Sequence, residues 1–314
     1  MIVLQSKRNL KRILFIINPI AGGISKDKVV TAIGNIIDKE KYLVSIDYTA
    51  YAGHATEIAA NAAADGVDIV VAVGGDGSVN EVARALVGTS TSLGIVPCGS
   101  GNGLARHLHI PVHLTGSLRI INSGFSTVID SADMNGNTFF CTCGVGYDAK
   151  VCNDYTNSGS RGLKTYVEKS ISGYFSYRPK YYRITTDGSC EIIRKAFIIT
   201  CANANQWGNN FHVAPNASLK DGELDLVIIH PINIISAIPM PAQILGFHFD
   251  RNSSVEVIRC KKADITCLSP EQKPSFHMEA HYDGEPLMVG KDVHIQVIPS
   301  SLNVIVSKIY SKKL

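Results

Sequence analysis

The stretch Val71-Ala72-Val73-Gly74-Gly75-Asp76-Gly77-Ser78-Val79-Asn80-Glu81 constrains this chain more than any other. Val70 to Val73 is a short β-branched apolar run, the pattern of a central parallel strand buried on both faces. Gly74, Gly75 and Gly77 then allow unusual φ values and close approach of the backbone to a ligand. Ser78 is placed to cap a helix that carries Val82, Ala83, Ala85 and Leu86. A strand, a glycine turn and a helix N-terminus together present backbone N–H groups to a phosphate. Asp76 in such a seat repels phosphate unless a cation or proton intervenes, so it implies metal or acid/base work. The bland alternative is a plain strand-to-helix turn, which has little need of three glycines.

The rhythm around this stretch fixes the class of the first third. Ile13 to Ile17 reads as a strand ending at Asn18-Pro19, followed by the Ala21-Gly22-Gly23 turn and a helix from about Lys26 to Lys39. Leu43 to Tyr48 is the next strand, Gly53 to Ala64 the next helix, and Leu93 to Val96 enters a second loop, Gly99-Ser100-Gly101-Asn102-Gly103. This βαβα alternation predicts a parallel sheet with helices on both faces, and ligands at the carboxyl ends of its strands. Asn18 and Thr49 end two of those strands and share the crevice with both glycine loops.

After about Asp130 the pattern becomes short, often alternating strands: Phe139 to Cys143, Tyr181 to Thr186, Ile192 to Cys201, Leu224 to Ile229, Val255 to Cys260, Ala263 to Leu268, Phe276 to Tyr282 and Val293 to Ile298. One helical stretch, Arg161 to Phe175, interrupts them. A mostly antiparallel sandwich or barrel is expected. The fold class is therefore an N-terminal three-layer α/β domain (residues 1–130) and a C-terminal β-rich domain (residues 131–301), meeting at a cleft. A length of 314 residues suits about two such domains.

Bulk composition excludes several functions. A net charge of +3 with no Lys/Arg run argues against nucleic acid. Two small basic clusters stand out: Lys7, Arg8, Lys11 and Arg12, and Arg178, Lys180 and Arg183 among Tyr177, Tyr181 and Tyr182. The second suits either an anionic lipid surface or an ordinary solvated face. Eight cysteines without a C-x-x-C pair read as buried, reduced thiols in a cytosolic setting. The N-terminus does not resemble a signal peptide. Prolines and His230 break the apolar region from Leu224 to Phe249, which is no membrane span.

Two further constellations carry chemistry. Ser218-Leu219-Lys220-Asp221-Gly222-Glu223-Leu224-Asp225 offers oxygen ligands for a hard cation, or else is an ordinary Asp-Gly turn. His281-Tyr282-Asp283-Gly284-Glu285-Pro286 sets two carboxylates around a glycine, one suited to accept a hydroxyl proton and the other to orient it. Two patterns are weaker. Gly144-Val145-Gly146-Tyr147-Asp148-Ala149 fits a dinucleotide fingerprint but lies among antiparallel strands. His277, Glu279, His281 and Asp283 share a strand face, yet residues two apart are nearly 7 Å apart, too far for all four to reach one ion. A Walker A loop is absent.

In order along nearly the whole chain, these motifs resemble the diacylglycerol kinase catalytic-domain family, which includes bacterial diacylglycerol kinases, related lipid kinases and sphingosine kinases. The resemblance rests on Asn18-Pro19-x-Ala21-Gly22, Gly74-Gly75-Asp76-Gly77-Ser78-x-Asn80-Glu81, Pro97-Cys98-Gly99-Ser100-Gly101-Asn102, Ala214-Pro215-x-Ala217-Ser218-x-x-Asp221-Gly222-x-Leu224-Asp225 and Asp283-Gly284-Glu285. It implies transfer of the γ-phosphoryl of Mg-ATP to a lipid hydroxyl at a membrane surface. The implied protein is cytoplasmic and peripherally membrane-associated, with a homodimer left open. The implied ATP site is Asn18, Thr49, Gly74, Gly75, Asp76, Gly77, Ser78, Asn80, Glu81 and Ser100. The implied Mg²⁺ site is Ser218, Asp221 and Glu223. The implied general base is Asp283, with Glu285 beside it, although Asp76 takes that role in some accounts of the sphingosine branch. The resemblance also implies a final segment, about 302–314, that returns to the first domain. Gly103 stands where many bacterial members carry an acidic residue, which reduces the implied acidic network to Asp130, Asp221 and Asp76. Gly103 followed by Leu104-Ala105 is closer to the sphingosine branch. An NAD kinase-like enzyme acting on a soluble substrate, or a silent lipid- or nucleotide-binding module, are the rival readings.

Overall fold

A computed structural model describes residues 10–23, 25–159, 163–174, 176–232, 240–246, 248–268 and 276–310. Lys7 and Arg8 of the first basic cluster, the ends of the Arg161 to Phe175 stretch and most of the Pro-broken segment beyond Ile232 lie outside them. The first strands, β1 (Lys11–Ile17), β2 (Tyr42–Tyr48), β3 (Ile69–Gly74) and β4 (Ser92–Pro97), pair in parallel in the order β2-β1-β3-β4. Every residue of β3 and β4 is buried, as their unbroken apolar runs require. Helices α2 (His54–Ala64) and α3 (Asp76–Leu86) cover one face through Ala55, Ala59, Val82 and Leu86. On the other face, α1 (Lys26–Ile36) packs Val29 and Ile33, and α5 (Leu114–Ser123) packs Leu118 and Ile121. The short α4 (Gly103–His107) follows the second glycine loop. The three-layer α/β arrangement is as the alternation predicts.

The second half is a sandwich. One layer is the antiparallel sheet β12-β11-β10-β7-β14-β15, built from β7 (Thr142–Gly146), β10 (Ile198–Ala202), β11 (Leu224–Ile229), β12 (Val255–Cys260), β14 (Met278–Tyr282) and β15 (Glu285–Val289). The opposing layer contains β5 (Ser126–Met134), β6 (Asn137–Phe139), β8 (Lys180–Thr186), β9 (Cys190–Ala196), β13 (Lys262–Cys267) and β16 (Asp292–Ile305). Between the layers lie Met134, Phe139, Tyr182, Ile184, Ile199, Leu226, Ile265, Met278 and Ile295. The outer face of the six-stranded sheet carries a second apolar cluster, including Phe197, Val227, Phe249, Tyr174 and Tyr177. Helices α6 (Tyr147–Asn157), α7 (Leu163–Ser172) and α8 (Met240–Leu245) complete the described elements.

The two halves are joined by sheet, not by a linker. The fourteen-residue β16 pairs antiparallel with β5 along most of its length, with β13 at one end, and in parallel with β4 at Val304. A ten-stranded sheet therefore runs through both halves. The 130/131 boundary falls inside β5, and the return segment begins inside β16, which is bulged between Ile298 and Leu302.

Several local expectations are corrected. Phe139 to Cys143 is not one strand: β6 ends at Phe139, and the next three N–H groups turn to a carboxylate instead of a ladder. Ile192 to Cys201 likewise breaks at Phe197 into β9 and β10. Helix α6 follows the Gly144–Gly146 strand end, but in an antiparallel sheet. Gly146, at φ +111°, is needed because a Cβ there would meet the Phe197 carbonyl oxygen at 2.7 Å. Tyr182 points inward, while Tyr181 is exposed beneath the Lys195 ammonium, so the aromatic-basic cluster is divided between two faces. Seven cysteines are buried and Cys190 is exposed. Among the described residues, no helix is long and apolar enough to cross a membrane.

Candidate active site

The glycine loops come together at the carboxyl ends of β1, β3 and β4, beside the point where strand order reverses. Cys98 N–H donates to the Gly74 carbonyl at 2.7 Å, pinning the second loop to the first. The loops then touch backbone to backbone: a Cβ on Gly99 would lie 2.7 Å from Gly75 Cα. No side chain fits there. The Asn18 loop is fastened to the same place by Asn18 N–H to Val73 O at 3.0 Å and by Asn18 Nδ2 to Ser78 Oγ at 3.0 Å. Thr49 directly follows β2, its N–H bonded to Ile17 O. Ser100 is exposed at the tip of the second loop.

Helix α3 begins at Asp76, with Gly75 as its cap, so Ser78 lies in the first turn instead of capping it. Ser78 is occupied by Asn18, and a Cβ on Gly74 would strike it at 2.5 Å. The Asp76 carboxylate is directed at the second loop. Its Oδ1 accepts the Gly103 N–H at 2.7 Å, and its Oδ2 accepts the Asn102 N–H at 2.8 Å. The carboxylate thereby holds the second loop, in which Asn102 adopts φ +53° and bonds both the N–H and the carbonyl of Gly99. Burial raises the Asp76 pKa, opposed by those two N–H groups and by the Arg106 charge. Arg106, which sequence reasoning missed, bonds the Gly101 carbonyl and reaches Asn210 across the seam.

Glu81 faces elsewhere. Its oxygens accept the N–H groups of Gly53 at 2.9 Å and Ala55 at 3.2 Å, at the start of α2. That arrangement satisfies orphan donors at a helix N-terminus and favours negative charge there. Asn80 is buried and donates to Thr138 O at 3.2 Å and to Asp283 Oδ2 at 2.8 Å.

Asp283 and Gly284, at φ +46° and +82°, form the two-residue turn between β14 and β15, flanked by the Tyr282–Glu285 pair. Asp283 Oδ2 also accepts the Phe140 N–H at 2.9 Å, and Oδ1 accepts those of Cys141 at 2.8 Å and Thr142 at 3.2 Å. Four N–H donors fill the acceptor positions of one carboxylate. Burial raises its pKa, and the four donors oppose the shift. Glu285 is exposed, and its Oε1 lies 3.0 Å from where a Cβ of Gly77 would stand, over the first turn of α3. Among the described residues, no hydrogen-bond donor holds it.

The remaining expected residues do not join this site. Asp130 accepts the N–H groups of Gly222 at 2.8 Å and Ser300 at 2.7 Å, fastening the Asp221-Gly222 turn to β16. The network of Asp130, Asp221 and Asp76 is therefore not assembled; each carboxylate holds a different part of the backbone. The implied Mg²⁺ ligands Ser218, Asp221 and Glu223 do not fit an ion. Arg259 already bonds Asp221 and Glu223, and Ser218 Oγ accepts the Lys220 N–H at 3.2 Å. On β14, His281 meets Asp148 at 3.1 Å, and Glu279 accepts from Asn153 at 2.9 Å. These residues have separate partners, and among the described residues no group of three His, Cys, Asp or Glu is arranged to hold a metal.

Comparison with known proteins agrees with this fold. Residues 12–134 match the model of the diacylglycerol kinase catalytic domain, and residues 141–306 that of the YegS C-terminal NAD kinase beta sandwich-like domain. A diacylglycerol kinase of Bacillus subtilis is 29% identical over 303 residues, covering 92% of this chain and 96% of the relative. A probable YegS-like lipid kinase of Yersinia enterocolitica is 28% identical, covering 86% and 89%. The crystal structure of a putative diacylglycerol kinase from Bacillus anthracis superposes with a TM-score of 0.76 at 21% identity, covering 98% of this chain and 99% of the other. That of an Archaeoglobus fulgidus NAD kinase in complex with ATP gives 0.53 at 11%, covering 96% of each chain, so the fold extends to that group. With paired glycine loops on an α/β layer and a β-sandwich sharing its central sheet, the chain belongs to the diacylglycerol kinase catalytic-domain family, in its YegS-like form.

Proposed function

We propose that this protein is an ATP-dependent lipid kinase that transfers the γ-phosphoryl group to a lipid hydroxyl, with diacylglycerol or a sphingoid base as acceptor. The observation that carries the reading is the convergence of two glycine loops in backbone contact, at a helix N-terminus, beneath an Asp-Gly-Glu turn from the other half. Backbone N–H groups there suit phosphates, and Asn18, Thr49, Gly74 to Ser78 and Ser100 would line the nucleotide. Asp76 would act by shaping the second loop. Mg²⁺ bound with ATP would neutralise phosphate charge.

The two turn carboxylates divide the work in this reading. Asp283, saturated by four N–H groups, fixes the turn; Glu285, unheld, accepts the proton of the lipid hydroxyl. As that oxygen bonds to phosphorus, the bond to the departing ADP oxygen breaks. Aromatic and aliphatic side chains on the outer face of the six-stranded sheet, among them Tyr174, Tyr177, Trp207 and Ile232, offer apolar surface for an acyl chain. Such a protein would work in the cytoplasm at a membrane surface.

The test is transfer of labelled γ-phosphate from Mg-ATP to mixed micelles of diacylglycerol, monoacylglycerol, sphingoid base or ceramide, with NAD alongside. One labelled lipid supports the proposal and names the acceptor. Label on NAD alone favours a kinase of soluble substrates, and label nowhere favours a binding module.

A further inference from the structure

Asp221, Glu223 and Asp225 follow at every second position through the turn that enters β11. On the neighbouring antiparallel strand, the register partner of Asp225 is Arg259. Its guanidinium reaches all three carboxylates. Nη2 bonds Asp221 Oδ2 and lies 2.9 Å from Glu223 Oε2, and Nε lies 3.6 Å from Asp225 Oδ1. The other Asp221 oxygen accepts the Glu223 N–H at 3.1 Å.

A hard divalent ion needs six or more oxygens directed at one centre. Here the oxygens that would supply that centre are directed at a guanidinium, a cation whose planar fork suits carboxylates. We propose that Arg259 is the resident cation of this turn, taking the place of the divalent ion that relatives are expected to hold there. The consequence concerns the seam between the halves. Through Gly222 and Asp130 the turn is tied to β5 and β16, the strands both halves share. An ion-held turn would make that seam respond to divalent cations, whereas an arginine-held turn keeps it ordered without them. Any Mg²⁺ requirement then belongs to the nucleotide.

Thermal melting of the nucleotide-free, full-length protein tests this without reference to catalysis. The wild type is expected to melt at the same temperature in EDTA and in millimolar Mg²⁺ or Ca²⁺. In EDTA, Arg259→Gln is expected to melt roughly 2–6 °C lower, and divalent ion is expected to restore most of the loss. A saturable rise in wild-type Tm with either ion overturns the proposal, as does an Arg259→Gln protein as stable as wild type. A loss that no divalent ion restores overturns the equivalence of guanidinium and ion. If Arg259→Gln does not fold, the wild-type titration and the milder Arg259→Lys variant, expected to gain partial divalent sensitivity, still decide.

Discussion

Asn80, in the middle of α3, donates through Nδ2 to Asp283 Oδ2 at 2.8 Å, joining two residues 203 positions apart. The first half thus supplies one of the four N–H groups that hold the turn carrying Glu285, and so sets that turn over the first glycine loop. The pair couples the first glycine loop's helix to the Asp283-Gly284 turn through one partly buried hydrogen bond.

That coupling separates the two turn carboxylates experimentally. Asp283→Asn sets an amide NH₂ against N–H donors and should lower stability by about 1–3 kcal/mol while abolishing turnover. Glu285→Gln should melt like wild type and lose about 10²–10⁴-fold in kcat, with ATP binding retained. Melting curves and kcat for both decide it; near-normal turnover in Glu285→Gln would return the base role to Asp283. In a double-mutant cycle, Asn80→Ala and Asp283→Asn should be non-additive by about 0.5–3 kcal/mol.

Gly22 and Gly23 make a matched pair. Gly22 has φ +66°, and a Cβ on it would meet the Cys98 carbonyl oxygen at 2.2 Å; a Cβ on Gly23 would meet nothing within 4 Å. Gly22→Ala should cost about 1–3 kcal/mol and weaken ATP binding by distorting the Asn18 loop against the second glycine loop. Gly23→Ala should be neutral within about 0.5 kcal/mol. Calorimetric unfolding and ATP titration measure both, and equal effects would contradict the packing described.

Glu81 belongs to the glycine motif by sequence but bonds the N-terminus of α2. Glu81→Ala should reduce stability by about 0.5–2 kcal/mol, the range for loss of a cap, with KM for ATP changed less than twofold. A KM rise of tenfold at unchanged stability would make Glu81 a nucleotide ligand.

His107 supplies a pH dependence. It is buried at the seam, its Nδ1 accepting the Asn205 N–H at 3.0 Å, and burial pushes its pKa down to about 4 from 6.5. The folded state thus favours the neutral ring. Its contribution is complete above the unfolded pKa of 6.5 and is lost as pH falls through about 4. The loss should reach the order of 3 kcal/mol at the acid end. Urea titrations of wild type and His107→Gln at pH 7.5, 6, 5 and 4 check this, with wild type approaching the variant as pH falls. Parallel curves would assign the acid loss to other groups.

Much of this protein was determined by sequence alone. Unbroken β-branched runs such as Val70 to Val73 can only be buried on both faces, which dictates a parallel layer between helices. Gly74, Gly99 and Gly101 mark the site because a Cβ would meet the Ser78 side chain, the Gly75 backbone and the Asp76 carboxylate respectively. Asp283-Gly284 between two strands is a hairpin signal whatever surrounds it. The tertiary structure decided what each carboxylate does, since a carboxylate accepts whichever donors long-range packing brings to it. Asp76 holds Asn102 and Gly103, Glu81 holds α2, Asp130 holds β16, and Asp283 holds the break between β6 and β7. Arg259 reaches the acidic turn only because β12 pairs with β11 in that register, thirty-four positions from Asp225 in the chain. The sheet shared by both halves was likewise illegible, because β16 owes its continuity to partners in β4, β5 and β13, whose identity no local pattern records.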